Sequence, residues 1–174
     1  RKVVKTGNMK YDQAVTPLLG NPEDIKKGLK LPASCRLIVA GSTHEGEEEK
    51  ITACYQKLTQ RHPSARLMLA PRHLDRLEGI ESFLHRQGLM SVRKTKMESA
   101  TFEVLPSDAI ILLDTLGELQ RLYSVASLVF VGGSLVPIGG HNVLEPAACA
   151  KPVLFGPHME NFEEISQYLV EREA

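Results

Sequence analysis

Short apolar runs alternate along this chain with stretches whose apolar residues recur at helical spacing. Residues 36–40 (Arg-Leu-Ile-Val-Ala) predict a buried strand ending at Gly41-Ser42-Thr43. Residues 45–60 then place Ile51, Cys54, Tyr55 and Leu58 on one helical face. A second strand is predicted over 66–70, stopped by Pro71. A second helix follows over 74–87, with Leu74, Leu77, Ile80, Phe83 and Leu84 in register and Gly88 as its stop. Further strands are predicted at 91–94, 109–113, 128–131 and 152–155. Helices are predicted from 116 to about 126, from about Asn142, and over 161–170. The first 35 residues are less regular, with turns at Gly20-Asn21-Pro22 and Leu31-Pro32 around a short helix. The strands read as continuous apolar runs, which suits a parallel sheet covered on both faces. The predicted fold is therefore α/β, an open, doubly wound, Rossmann-like parallel sheet. Ligands of such sheets sit beyond the carboxyl ends of the strands. Clusters of Gly, Ser, Thr and Pro fall at those ends here, at 41–43, 71–73, 114–117, 132–142 and 156–158.

The length of 174 residues fits one domain with a substantial core. Hydrophobic residues make up 43% and charged residues 24%, so disorder and low-complexity repeats are excluded. The formal net charge is zero, and Trp is absent beside four Tyr and five Phe. A nucleic-acid partner is not expected on either count. No apolar run approaches the roughly 20 residues of a membrane helix, and residues 1–10 lack the apolar segment of a signal peptide. Cys35, Cys54 and Cys149 have no Cys-x-x-Cys spacing and read as buried free thiols in a reducing compartment. Charge is uneven along the chain. Residues 1–30 hold seven bases and three acids, and residues 145–174 hold six acids and two bases. Complementary solvated faces are the plain reading, and a basic entrance for an anionic ligand is the sharper one.

Candidate chemistry concentrates in the run from Gly132 to Pro146, Gly-Gly-Ser-Leu-Val-Pro-Ile-Gly-Gly-His-Asn-Val-Leu-Glu-Pro. Paired glycines let backbone amides approach an anion, and a helix start follows. The run is neither a Walker loop nor a Gly-x-Gly-x-x-Gly fingerprint. Asn142-x-x-Glu145 fits a capping box. It also fits a carboxylate that accepts two ribose hydroxyls. His141 reads as a polar loop residue placed to touch a bound anion. A second capping box is predicted at Ser42-x-x-Glu45, with the acids Glu47–Glu49 suiting the helix dipole. In the functional version Ser42 and Thr43 are free to donate to a phosphate. Arg72, in Pro71-Arg72-His73, is either a surface charge or a phosphate or base contact. The chain has no Asp-x-Asp, which favours a site that works without a divalent metal. His44 has no second His at helical spacing, so a metal centre there is not expected.

Several of these segments occur together, in order, in one family. They are Gly7-Asn8-Met9-Lys10-Tyr11-Asp12, the 40–49 run, Pro71-Arg72-His73, Asp114-Thr115-x-Gly117-Glu118-Leu119, the 130–147 run and Phe155-Gly156-Pro157-His158-x-x-Asn161-Phe162. The chain resembles, over essentially its whole length, the C-terminal donor-binding domain of bacterial Kdo (3-deoxy-D-manno-oct-2-ulosonic acid) transferases. One departure is Ala150, where members often have Gly.

The resemblance implies one half of a GT-B-type, inverting glycosyltransferase of lipopolysaccharide assembly. The donor would be CMP-Kdo and the acceptor a lipid A precursor. Residues 1–174 would form the C-terminal domain that binds the nucleotide sugar. The acceptor site and the general base would lie in an N-terminal domain absent from this chain, and the final helix reads as cut at Ala174. The full-length protein would sit at the cytoplasmic face of the inner membrane, and this fragment would be soluble and inactive alone. Carried over by motif position, Ser42, Thr43, Ser134 and Asn142 would meet phosphate or the Kdo carboxylate, with Gly133 in the same loop. Glu145 would meet the ribose, and Arg72 and the Gly117 turn would line the cytosine pocket. No metal or other cofactor is implied. The alternatives are another GT-B-type enzyme, such as a 2-epimerase or a uridine-donor transferase, and a nonenzymatic interaction domain.

Overall fold

The structure is a computed structural model and describes residues 20–172. The 7–12 segment and the bases Arg1, Lys2, Lys5 and Lys10 lie outside the described residues. In chain order the elements are α1 (Pro22–Gly28), β1 (Arg36–Thr43), α2 (Glu47–Arg61), β2 (Ala65–Pro71), α3 (Leu77–Arg86), β3 (Met90–Arg93) and β4 (Ala109–Leu112). There follow α4 (Leu119–Tyr123), β5 (Leu128–Val131), α5 (Leu144–Ala148), β6 (Val153–Phe155) and α6 (Glu163–Glu171). The six strands form one sheet in the order β3-β4-β2-β1-β5-β6, and every pair is parallel. This is the doubly wound, Rossmann-like sheet that the apolar runs predict.

The two faces explain why those runs are continuous. Alternate side chains of a strand point to opposite faces. Leu37, Val39, Met68, Ile111, Val129 and Val131 pack under α1, α4, α5 and α6. Ala40, Leu67, Leu69, Ile110 and Leu112 pack under α2 and α3, through Tyr55, Leu77, Ile80 and Leu84. With helices on both sides, neither set can be polar, and all seven residues of β2 are buried.

Some helix bounds differ from the sequence expectation. The predicted 74–87 helix is a 3-10 turn at Leu74–Arg76 followed by α3. The predicted 116–126 helix shrinks to α4, because Gly117 takes φ +80° and Glu118 is held in the preceding loop. Its carboxylate accepts both Thr115 Oγ1 and Lys94 Nζ. The expected burial of the three thiols is corrected as well. Cys54 is exposed, and Cys35 and Cys149 are half-buried, because the inward face of α2 runs through Thr52 and Tyr55. The basic entrance gains no support from the described residues. Lys26 pairs with Glu23 at 3.6 Å, and Lys30 Nζ donates to the carbonyls of Ala100 and Phe102.

Candidate functional site

The chain leaves β1 toward β2 on one side, and later crosses to lay β5 on the other side of β1. The loops after β1 and β5 therefore part at the switch point, where open α/β sheets form their ligand crevice. The backbones meet closely there. Gly132 N donates to Gly41 O at 2.8 Å, and a Cβ on Gly132 would lie 2.3 Å from Ser42 O. Only glycine fits at 132.

The glycine-rich loop does present a nest of amides, but its occupant comes from the protein itself. Glu47, wholly buried at the first turn of α2, accepts from Gly133 N at 2.7 Å, Ser134 N at 3.0 Å and Leu135 N at 2.9 Å. It also accepts from His44 N at 2.9 Å. Gly133 reaches this geometry at φ +68°. The expectation that these amides await a ligand's anion is corrected: one carboxylate already satisfies all three. The capping box moves accordingly. The N-cap of α2 is Gly46 in the left-handed region, and the reach-back comes from Glu47, not Glu45.

A second buried acid braces the same corner. Glu48 Oε1 accepts from Thr43 Oγ1 and Arg76 Nη1, each at 2.8 Å, and Oε2 accepts from Arg76 Nη2 at 3.0 Å. The Thr43 hydroxyl is thus not free to donate to a phosphate. Nor does Ser134 present its hydroxyl. Ser134 is fully buried, donating to Val131 O at 2.6 Å and accepting from Gly156 N at 2.9 Å. Both residues fasten the loops that shape the crevice. Sequence reasoning treated Glu47–Glu49 as first-turn acids and missed these roles. The available signal was the helical period. Glu47 and Glu48 lie four residues before Ile51 and Thr52, hence on the inward face of α2.

Three imidazoles gather above this braced floor. His44 Nε2 and His141 Nε2 are 2.8 Å apart, with ring planes only 7° from parallel. The His73 ring meets His44 edge-on at 5.7 Å between centroids. Burial, followed by the neighbouring His44 and Arg72, pushes His141 down to about 4. Burial also lowers His44, against the opposing pull of Glu47. Among the described residues no group of three His, Cys, Asp or Glu is arranged to hold a metal.

The remaining candidates also lie at the carboxyl edge. Ser42, at φ +55°, has no side-chain partner among the described residues. Arg72 is exposed and its guanidinium has no carboxylate partner among them, while its amide donates to Thr43 O at 2.9 Å. Asn142 Oδ1 accepts from Leu144 N at 3.0 Å, and Asn142 Nδ2 donates to Glu145 Oε1 at 3.1 Å. The predicted box is corrected here too: α5 starts at Leu144, with Val143 as N-cap, and Glu145 bonds the Asn142 side chain rather than its amide. Glu145 Oε2 is left open. Gly117 is exposed on the β4 loop, two strands from β1. A groove of about 530 Å³ opens beside α6 and the end of β6. Its lining includes Glu160, Glu163 and Glu171 without a Lys or Arg, which does not suit an anion.

A parallel doubly wound sheet with polar loops converging on its switch point defines a Rossmann-like α/β domain, the type that forms each half of a GT-B glycosyltransferase. No protein-family model matches the chain. It is 38% identical to the 3-deoxy-D-manno-octulosonic acid transferase of Haemophilus influenzae, over 95% of this chain and 38% of that protein. It is 36% identical to the enzyme of the same name from Chlamydia pneumoniae, over 97% of this chain and 38% of that one. The C-terminal CMP-Kdo binding domain of WaaA from Acinetobacter baumannii superposes with a TM-score of 0.77 at 26% identity, covering 88% of this chain and 77% of that domain. Over nearly its whole length the chain is thus similar to Kdo transferases, and it spans about two-fifths of the length of these curated relatives.

Proposed function

We propose that this chain is the donor-binding half of an inverting glycosyltransferase, holding CMP-Kdo for transfer to a lipid A precursor. The observation that carries the reading is the set of unpaired groups at the switch point, Ser42, Arg72 and the open oxygen of Glu145. They lie in a domain similar to one described as binding CMP-Kdo. As the glycosidic bond to phosphate breaks, negative charge grows on the departing CMP. A guanidinium and a hydroxyl at the carboxyl edge can stabilise that charge by donating hydrogen bonds to it. In this reading Arg72, Ser42 and the spare amide hydrogen of Asn142 face phosphate or the sugar carboxylate, and Glu145 accepts ribose hydroxyls. Gly117 lines the base pocket. Thr43, Gly133 and Ser134 act one step back, by holding the loops. The general base and the acceptor site belong to a second domain outside this chain. The association of the whole enzyme with the inner membrane belongs to the same proposal, and among the described residues no helix is long and apolar enough to cross a membrane.

Calorimetric titration with CMP, UMP and AMP tests this, first in chelator and then with magnesium. CMP is expected to bind best, and equally well without metal. Preference for UMP would favour a uridine-donor enzyme, and binding of none would favour an interaction domain. In the same assay Glu145→Gln should weaken CMP about tenfold, since a hydrogen bond to a charged group contributes about 1.5–3 kcal/mol. Its stability should fall by less than about 1 kcal/mol. Unchanged affinity would remove Glu145 from the site.

A further inference from the structure

With Glu47 filling the amide nest and the Thr43 and Ser134 hydroxyls engaged, the crevice between β1 and β5 offers an anion few donors. The imidazoles of His44 and His141 stand over it. We infer that His44 and His141 act as one proton-holding pair, and that binding a cytidine phosphodiester draws one proton from solvent onto that pair. The inference rests on the donor-binding reading above and assigns these two residues a positioning and charge-matching role for the donor.

The geometry dictates the stoichiometry. At 2.8 Å, the two Nε2 atoms must share one hydrogen, so one is a donor and the other a lone pair. The accepting ring then carries its hydrogen on Nδ1, and the donating ring has a bare Nδ1. One added proton fills that bare nitrogen and leaves the shared hydrogen bond intact. A second would set two N–H groups against each other across 2.8 Å. The pair therefore has room for one proton only.

The surroundings hold the empty pair neutral. Arg72 and His73 face it from the loop after β2 and Arg76 from the 3-10 turn, and these oppose a further positive charge. Glu47 and Glu48 face it from α2 and favour one, but both are committed to other donors. Half-burial disfavours the charged ring. An anion within about 4–6 Å typically moves a pKa by about 1–3, which brings the pair into the mildly acidic range when the donor is bound. Affinity should then rise as pH falls toward that range, because the bound state holds the extra proton.

The test uses cytidine 5′-methyl phosphate, a diester with one fixed negative charge and no phosphate group titrating near neutrality. Calorimetry at pH 5.5 in two buffers of different ionisation enthalpy counts the protons taken up. About half a proton or more per ligand is expected, and never more than one. The imidazole resonances of His44 and His141, followed by NMR in the unsubstituted protein, should titrate at higher pH when the ligand is bound. The double substitution His44→Gln/His141→Gln should abolish the uptake. Binding whose heat is independent of buffer would overturn the inference while leaving the donor reading intact. So would uptake without any change at the two histidines. Absence of diester binding would overturn the donor reading and this inference with it.

Discussion

At the scale of single residues, the decisive group is Glu47. Its carboxylate takes four backbone amides and so joins the start of α2 to the loop after β5. Glu47→Gln keeps the size and replaces one acceptor oxygen by an amide that points hydrogens at hydrogens. At least one buried amide is then left unpaired, at about 1–3 kcal/mol, and the charged character of the others is lost. The expected loss of stability is about 2–4 kcal/mol, or on the order of 5–10 °C in melting temperature for a chain of this size. Thermal melting reads this directly. A shift below about 1 °C would mean that the loop holds itself in place without the brace. Glu145→Gln is the contrasting case, expected to spare stability and cost affinity.

At the scale of the element, the end of α5 carries a strain that the sequence places and the structure explains. Ala150 follows the C-cap residue Cys149 at φ +52°, the left-handed conformation that glycine adopts without penalty. An L-residue there costs about 1–2 kcal/mol, partly offset by the entropy glycine loses on folding. Ala150→Gly should therefore stabilise the domain by roughly 0.5–1 kcal/mol and leave nucleotide affinity unchanged. Denaturant midpoints of the two proteins decide it, and a destabilised glycine variant would show that the alanine methyl contributes packing worth more than the strain. Helix starts show the converse. Both predicted capping boxes contain a suitable acid, but the caps fall later. α2 is capped by Gly46 rather than Ser42, and Glu47 finds its partners in a distant loop. α5 is capped by Val143 rather than Asn142, whose side chain bonds Leu144 N and Glu145 locally.

Across the whole molecule, the neutral histidines tie stability to pH. His44 and His141 have lowered values in the folded chain, His141 near 4. The unfolded chain therefore binds protons first as pH falls below about 6.5. Their contribution is fully present above that value and is lost as pH drops toward the folded values. Carboxylates add a second, lower window. Arg93 holds Glu81 below the usual range against the opposing effect of burial. Glu118 is also lowered: burial raises it, and the bonds from Lys94 and Thr115 outweigh that. Their stabilisation is present above about pH 4.5 and is lost as pH falls through the depressed folded values. Melting temperatures are expected to decline from pH 7 to 5 and more steeply below. His44→Gln/His141→Gln should flatten the upper part of that decline. An unchanged profile in the variant would show that the pair is not held neutral.

The sequence by itself determined the sheet. Apolar runs at 36–40, 66–70, 109–113 and 128–131 leave no solvent face, and glycine and proline punctuation marks the ends of the strands. Both signals are local, and local chemistry is what a linear pattern records. The sequence likewise brought Ser42, Arg72, Asn142 and Glu145 to one edge, because parallel strands deliver all their following loops to the same side. Only the tertiary structure decided which of those groups remain open to a ligand. Glu47 lies 86 residues before Gly133 and meets it only because β5 crosses to pair with β1. His44 and His141 are separated by 97 residues and reach 2.8 Å through the same crossing. Whether an amide, a hydroxyl or an imidazole is free depends on which distant partner arrives first, and that partner is fixed by strand order rather than by neighbours in the chain.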